Sequence, residues 1–150
     1  SNSTLVVVGP ATIVVEQFRV KSNSKLVADT TNGPVKLYAT NEFTMDSNTL
    51  VGPVNRRPKD LSVYITGVGE LGESAELLSN DEFVGTIYAP HAPVIINSNS
   101  SIYGAVIAKD LVLDSNAAVH IDMSLYDDED KNRVPTILSW TKSAMPSDLT

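Results

Sequence analysis

Apolar residues recur two apart along short stretches of this chain, and each stretch stops at the same polar pair. "FRVKSNSKL" places Phe18 and Val20 before Ser22-Asn23 and Leu26 after it. "FTMDSNTL" repeats the arrangement with Phe43, Met45, Ser47-Asn48 and Leu50, and "AELLSNDEF" with Ala75, Leu77, Ser79-Asn80 and Phe83. In "VIINSNSSI" the set is Val94, Ile96, Ser98-Asn99 and Ile102; in "LVLDSNAAV" it is Leu111, Leu113, Ser115-Asn116 and Val119. A period of two puts alternate side chains on one face of a strand, so the pattern predicts β structure. Five copies in one local context are a repeat, and a repeat is read before any single element.

A second column precedes the first. "VKLYAT", "SVYIT", "GTIYAP" and "GAVIAK" are alike, and Tyr38, Tyr64 and Tyr88 fall 26 and 24 residues apart. The order is a Tyr-type strand, a link, a strand ending in Ser-Asn, then a third short strand. Such a cycle predicts an all-β fold: one parallel β-solenoid (β-helix) domain over 1–150, with about five short three-strand coils. Coils stacked at ~4.8 Å make a rod of roughly 25 Å. The separation of 32 residues between Asn48 and Asn80 calls for an insertion, and "GVGELGES" at 67–74 is the loop that supplies it. An antiparallel sandwich leaves five corners in one context unexplained.

The polar pair is corner chemistry. Asparagine tolerates the left-handed backbone that a sharp bend needs, and serine bonds nearby backbone groups. The expected structural corners are therefore Ser22, Asn23, Ser47, Asn48, Ser79, Asn80, Ser98, Asn99, Ser115 and Asn116. Gly52, Gly85 and Gly104, each two residues after an apolar position, are expected at the next bend. Val94, Ile96, Ile102, Leu111, Leu113 and Val119 are the expected core columns. A stack of strands exposes sheet edges at both ends and needs caps. Residues 1–17 are read as an off-register strand and cap, 18–125 as coils, and 126–150, with Ile137, Leu138 and Trp140, as the closing cap.

Composition narrows the partners. The net charge of −7 argues against nucleic acid or an anionic membrane surface. There is no cysteine, so neither disulfides nor thiolate metal sites occur. No apolar run reaches the ~20 residues of a membrane span, so no membrane contact by this segment is expected. If Ser1-Asn2 is a remnant of tag removal, the chain is expected to be a piece of a longer protein.

Candidate chemistry is sparse, and no enzyme is expected. The two histidines are His91 and His120. No Gly-x-Ser-x-Gly elbow, P-loop or dinucleotide fingerprint occurs. His120 and Asp122, two apart on one strand, are the candidates for a shared metal or proton. No third ligand accompanies them, and His120 falls in an outward column with Val51, Val84 and Tyr103, so neither a metal nor a cofactor is expected. Asp46, Asn97 and Asp114 share a column that could face a calcium ion, but Lys21 and Leu78 interrupt it. Asp128, Asp130 and Asn132 start like an EF-hand loop, yet Arg133 and Ser139 stand where that loop needs Gly and Glu. Arg56, Arg57 and Lys59 cluster in the "VNRRPKD" turn rather than on a strand, unlike the acid-and-base clusters of polysaccharide-cleaving β-helices. The Thr-x-Thr ladders of ice-binding solenoids are missing.

Residues 83–125 carry a resemblance. Gly85, Ile87, Tyr88, Ala89 and Pro90, then Tyr103, Gly104 and Ala105, then His120, Asp122 and Leu125 follow the pattern G-x-I-Y-A-P, Y-G-A, H-x-D-x-x-L. This resembles the C-terminal β-solenoid domain of bacterial pilus-assembly and surface proteins, some with a prepilin-like, PilX-type N-terminus. Those domains usually place Gly at the corner where this chain has Asn. The resemblance implies an envelope or extracellular location and a non-enzymatic structural or adhesive role. Its partners would be other surface or pilus proteins, or glycans. The competing expectation is a carbohydrate-binding or carbohydrate-cleaving β-helix.

Overall fold

A computed structural model describes residues 2–125. The expected closing cap at 126–150, with Asp128, Asp130, Asn132 and Trp140, lies outside the described residues. The described residues form ten strands: β1 (Thr4–Val8), β2 (Ala11–Val20), β3 (Lys25–Asp29), β4 (Val35–Met45), β5 (Leu50–Pro53), β6 (Leu61–Ile65), β7 (Ser74–Leu77), β8 (Glu82–Ile96), β9 (Ser101–Leu113) and β10 (Ala118–Ile121). Short 3-10 turns occupy Pro58–Asp60 and Met123–Leu125. The fold is all-β. Every strand pair is parallel, and all the strands belong to one sheet.

The registers sort the paired segments into three ladders. The first runs β1, β3, β5, the start of β8, the start of β9, and β10. The second joins 11–15, 35–39, β6, and the middles of β8 and β9. The third joins 17–20, 42–45, β7, and the ends of β8 and β9. β8 and β9 thus pass through all three ladders, where earlier segments are split into separate strands. Residues 1–17, expected off-register, pair in register instead: Leu5 with Leu26 and Ile13 with Leu37.

Alternation fills the interior. Leu26, Val51, Phe83 and Ile102 form one buried column, and Phe43, Ala75 and Val94 another. Phe43 packs against Phe18 face to face at 6.1 Å and against Phe83 edge-on at 5.9 Å. Aromatic pairs of this kind are worth ~0.5–1.5 kcal/mol beyond the area they bury. Of the six expected core residues, Val94, Ile96 and Ile102 are fully buried and Val119 is half-buried. Leu111 and Leu113 are a correction. They hold the expected register with Val94 and Ile96, yet are 48% and 50% exposed. They lie in the last ladder strand, and no described strand lies beyond them.

The asparagines of the Ser-Asn pairs all turn the backbone left-handed: φ is 59° at Asn23, 61° at Asn48, 54° at Asn80, 58° at Asn99 and 57° at Asn116. The peptide N–H of each of the first four donates to the serine carbonyl of the next pair, as from Asn99 to Ser115 at 3.0 Å. At Asn99 and Asn116 the side chains bond as well, Nδ2 to Oδ1 at 3.2 Å. The bend between the first and second ladders uses glycine. Gly85 (φ 156°) pairs with Gly104 (φ 149°), and a Cβ at Gly104 would stand 1.9 Å from the Gly85 carbonyl oxygen. Gly52 does not bend the chain, contrary to expectation. It lies within β5, where a Cβ would meet that of Val84 at 3.0 Å. The expected outward column is corrected accordingly: Val51 points inward and pairs with Phe83, so Gly52 stands beside Val84.

The residue after each asparagine faces inward and, until the last copy, is polar: Ser24, Thr49, Asp81 and Ser100 are buried, and Ala117 ends the series. Asp81 holds this column together. Its carboxylate accepts from the Thr49 N–H at 2.8 Å, the Thr49 hydroxyl at 2.9 Å and the Ser79 N–H at 3.0 Å. Its own N–H donates to the Ser100 hydroxyl oxygen at 3.1 Å. Burial pushes its pKa above the ordinary value, against the pull of the hydrogen bonds from Thr49, Ser79 and Leu78.

Candidate functional site: a tyrosine ladder

The second ladder presents its polar side outward. Ala39 and Ile65 point in, so Tyr38 and Tyr64, one residue earlier, point out. Register puts Val14, Tyr38, Tyr64, Tyr88 and Ile107 in one column. Tyr38 and Tyr64 stack at 4.6 Å with ring planes 10° apart. Tyr88 tilts away from Tyr64 by 59° at 6.0 Å and is 43% exposed. The column two residues upstream supplies hydroxyls, with the Thr86 hydroxyl donating to Ser62 at 2.9 Å. A hollow opens at the end of the ladder, lined by Tyr64, Thr86, Tyr88, Ala105, Ile107 and Leu125.

This surface can offer ring faces and hydroxyls to a flat or extended partner. Among the described residues, no three His, Cys, Asp or Glu side chains gather as metal ligands, and no helix is long and apolar enough to cross a membrane.

Comparison with known proteins adds one finding. The family model described as a domain of unknown function (DUF7305) matches residues 4–128. The chain belongs to that family. No curated protein and no solved structure matches it.

Within this family member, the residues of the H-x-D-x-x-L stretch take separate positions. His120 stacks on Tyr103, its register partner, at 4.5 Å and 7°. Asp122 turns to the backbone instead: its Oδ1 accepts from the Ser124 N–H at 2.8 Å, which holds its pKa below the ordinary range. The Asp122 N–H donates to the Gly104 carbonyl. Asp122 thus starts the 3-10 turn that brings Leu125 to the hollow beside Tyr88. His120 and Asp122 are not brought together as a ligand pair.

The other candidates also find local partners. Asp46 accepts from Arg19 Nε at 2.8 Å, Asn97 donates to Glu76 at 3.0 Å, and Asp114 accepts from the Ser115 N–H at 2.7 Å. The shared column therefore spends its polar atoms sideways. In the "VNRRPKD" turn, Arg56 has a left-handed backbone (φ 56°), pairs with Glu82 at 2.6 Å and lies 6.0 Å over the Tyr103 ring. Arg57 stands 3.9 Å from Asp60. His91 is exposed in the link after Pro90. The 67–74 loop winds around a buried carboxylate: Glu73 accepts from the Gly69 N–H at 2.7 Å, and a Cβ at Gly67 would strike that carboxylate.

Sequence reasoning overlooked two features. Asp81 belongs to no motif that the sequence singles out. The signal was its position: it falls in a column otherwise held by Ser24, Thr49 and Ser100. The tyrosines mark the repeat in the sequence, and alternation with Ala39, Ile65 and Ala89 places them on the outer surface.

Proposed function

We propose that this chain is a non-enzymatic structural or adhesive module of a bacterial cell-surface or pilus-associated protein, built as a parallel β-solenoid of about five three-strand coils. Three in-register ladders joined by recurrent asparagine corners support the solenoid reading. The G-x-I-Y-A-P, Y-G-A and H-x-D-x-x-L pattern supports the surface setting. The observation that carries the adhesive role is the outward tyrosine ladder, where the Tyr88 ring is tilted and exposed and the Ser62 and Thr86 hydroxyls lie in the column two residues upstream. Rigid aromatic side chains give contact area at low entropic cost, which suits a binding face.

The same ladder favours a second reading, carbohydrate binding, because sugar rings stack on tyrosine faces and bond to hydroxyls. The test is retention of the pure protein on immobilised bacterial envelope proteins and, separately, on polysaccharides. Under the first reading wild type is retained on the protein surface, and Tyr88→Ala loses retention with an unchanged melting temperature. Retention on polysaccharide alone moves the assignment to the second reading. Release of reducing sugar ends sinks the non-enzymatic one.

A further inference from the structure

The two ends of the sheet match each other. At one end the edges are β1 and β2, where Leu5 is 49% exposed and Val14 73%. Phe18, Val20, Leu5 and Leu26 line a hollow of about 230 Å³ there, with Lys21 and Lys25 at its rim. At the other end β9 and β10 show Ile107, Leu111, Leu113 and Ile121, each 48–57% exposed. The columns continue from one end to the other. Leu111 belongs to the column of Phe18, and Leu113 to that of Val20.

The charges are complementary in the same columns. Lys21 and Asp114 are the first and last members of the column that precedes the Ser-Asn corner. Glu16 and Lys109 are the first and last residues of the link between the second and third ladders. All four side chains are exposed. Stacking the β9–β10 end of one copy on the β1–β2 end of the next puts aspartate beside lysine at one corner and lysine beside glutamate at the other. It also seats Leu111 and Leu113 over the hollow. Open sheet edges are templates for further pairing.

We infer that two copies of this chain associate head to tail, the β1–β2 edge of one receiving the β9–β10 edge of the other in unbroken register. The interface is heterologous, so it repeats and builds open oligomers rather than a closed dimer. Opposite charges at two corners fix the register and reject a reversed docking.

Sedimentation velocity of the full 150-residue chain over a wide concentration range tests this. Wild type should grow with concentration into oligomers, and raising NaCl from about 0.1 to about 0.5 M should weaken the growth. Lys21→Asp and Asp114→Lys should each weaken association by about tenfold or more, since like charges then face each other. An equimolar mixture of the two variants should recover it, because each interface then joins opposite charges. If Asp114→Lys lowers the melting temperature by disturbing its corner, Glu16→Lys and Lys109→Glu serve as the second pair. A chain that stays monomeric at every concentration overturns the inference. A saturating dimer, or association indifferent to both charge pairs, overturns it as well.

Discussion

Val94 and Leu111 are register partners, as are Ile96 and Leu113, yet the first of each pair is fully buried and the second half exposed. The two segments share an alternation, a corner and a ladder. They differ in what flanks them. The end of β8 has β7 on one side and β9 on the other. The end of β9 has β8 on one side only, among the described residues. Alternation therefore decides which side chains point inward. Burial is decided by whether a further strand covers them, a property of position in the stack rather than of local sequence.

The sharpest way to break this comparison is to truncate both columns. Ile96→Ala should cost ~2–5 kcal/mol, the usual range for emptying a packed site. Leu113→Ala should cost about half as much or less, since half of its surface already meets water and the transfer term shrinks with it. Urea denaturation of the two variants decides the matter. Equal losses would show that the β9 end is covered in solution.

The corners should behave differently, because their strain is local. Asn99→Val and Asn116→Val should each cost ~1–3 kcal/mol, from forcing a β-branched residue into the left-handed region. Asn99→Gly should leave the melting temperature unchanged or slightly raised. A harmless Asn116→Val beside a costly Asn99→Val would assign the cost to neighbouring strands rather than to φ.

The smallest effect concerns the buried polar column, comparing Asp81 at its centre with Ser24 and Ser100. The fold raises the Asp81 pKa, so it favours the protonated carboxyl. That contribution is full below the ordinary 3.8 and fades as pH rises through the raised folded value. Asp29 and Asp122, whose pKa values are lowered, contribute the opposite slope, losing stability as pH falls. Asp81→Ser installs the column's own residue type. Its stability, subtracted from that of wild type at each pH, should fall from low pH toward neutrality. A flat difference would mean that the hydrogen bonds from Thr49 and Ser79 cancel the cost of burial.

Much of the local geometry was legible because it is periodic. Ser-Asn recurs, so its backbone can be reasoned about once and applied five times; alternation separates Ile87 from Tyr88 without any tertiary information. Other features were hidden because they depend on partners distant in sequence. Gly52 resembles Gly85 and Gly104 in spacing, but it lies within β5 without the positive φ by which the other two turn the chain. The left-handed Arg56 sits in a loop that no repeat copies. His120 and Asp122 satisfied a ligand spacing, yet a stacking partner and a turn claimed them separately.

The link between the second and third ladders varies freely in length. It is a single residue at Glu16 and at Lys109, two at 40–41, three at 90–92 and eight at 66–73, and the strands on either side keep their pairing throughout. Lengthening a loop from one residue to eight costs only about 2 kcal/mol of closure entropy. Evolution, or an engineer, can therefore write new sequence at this one edge of the molecule, level by level along its length, and graft peptides there at spacings set by the strand separation.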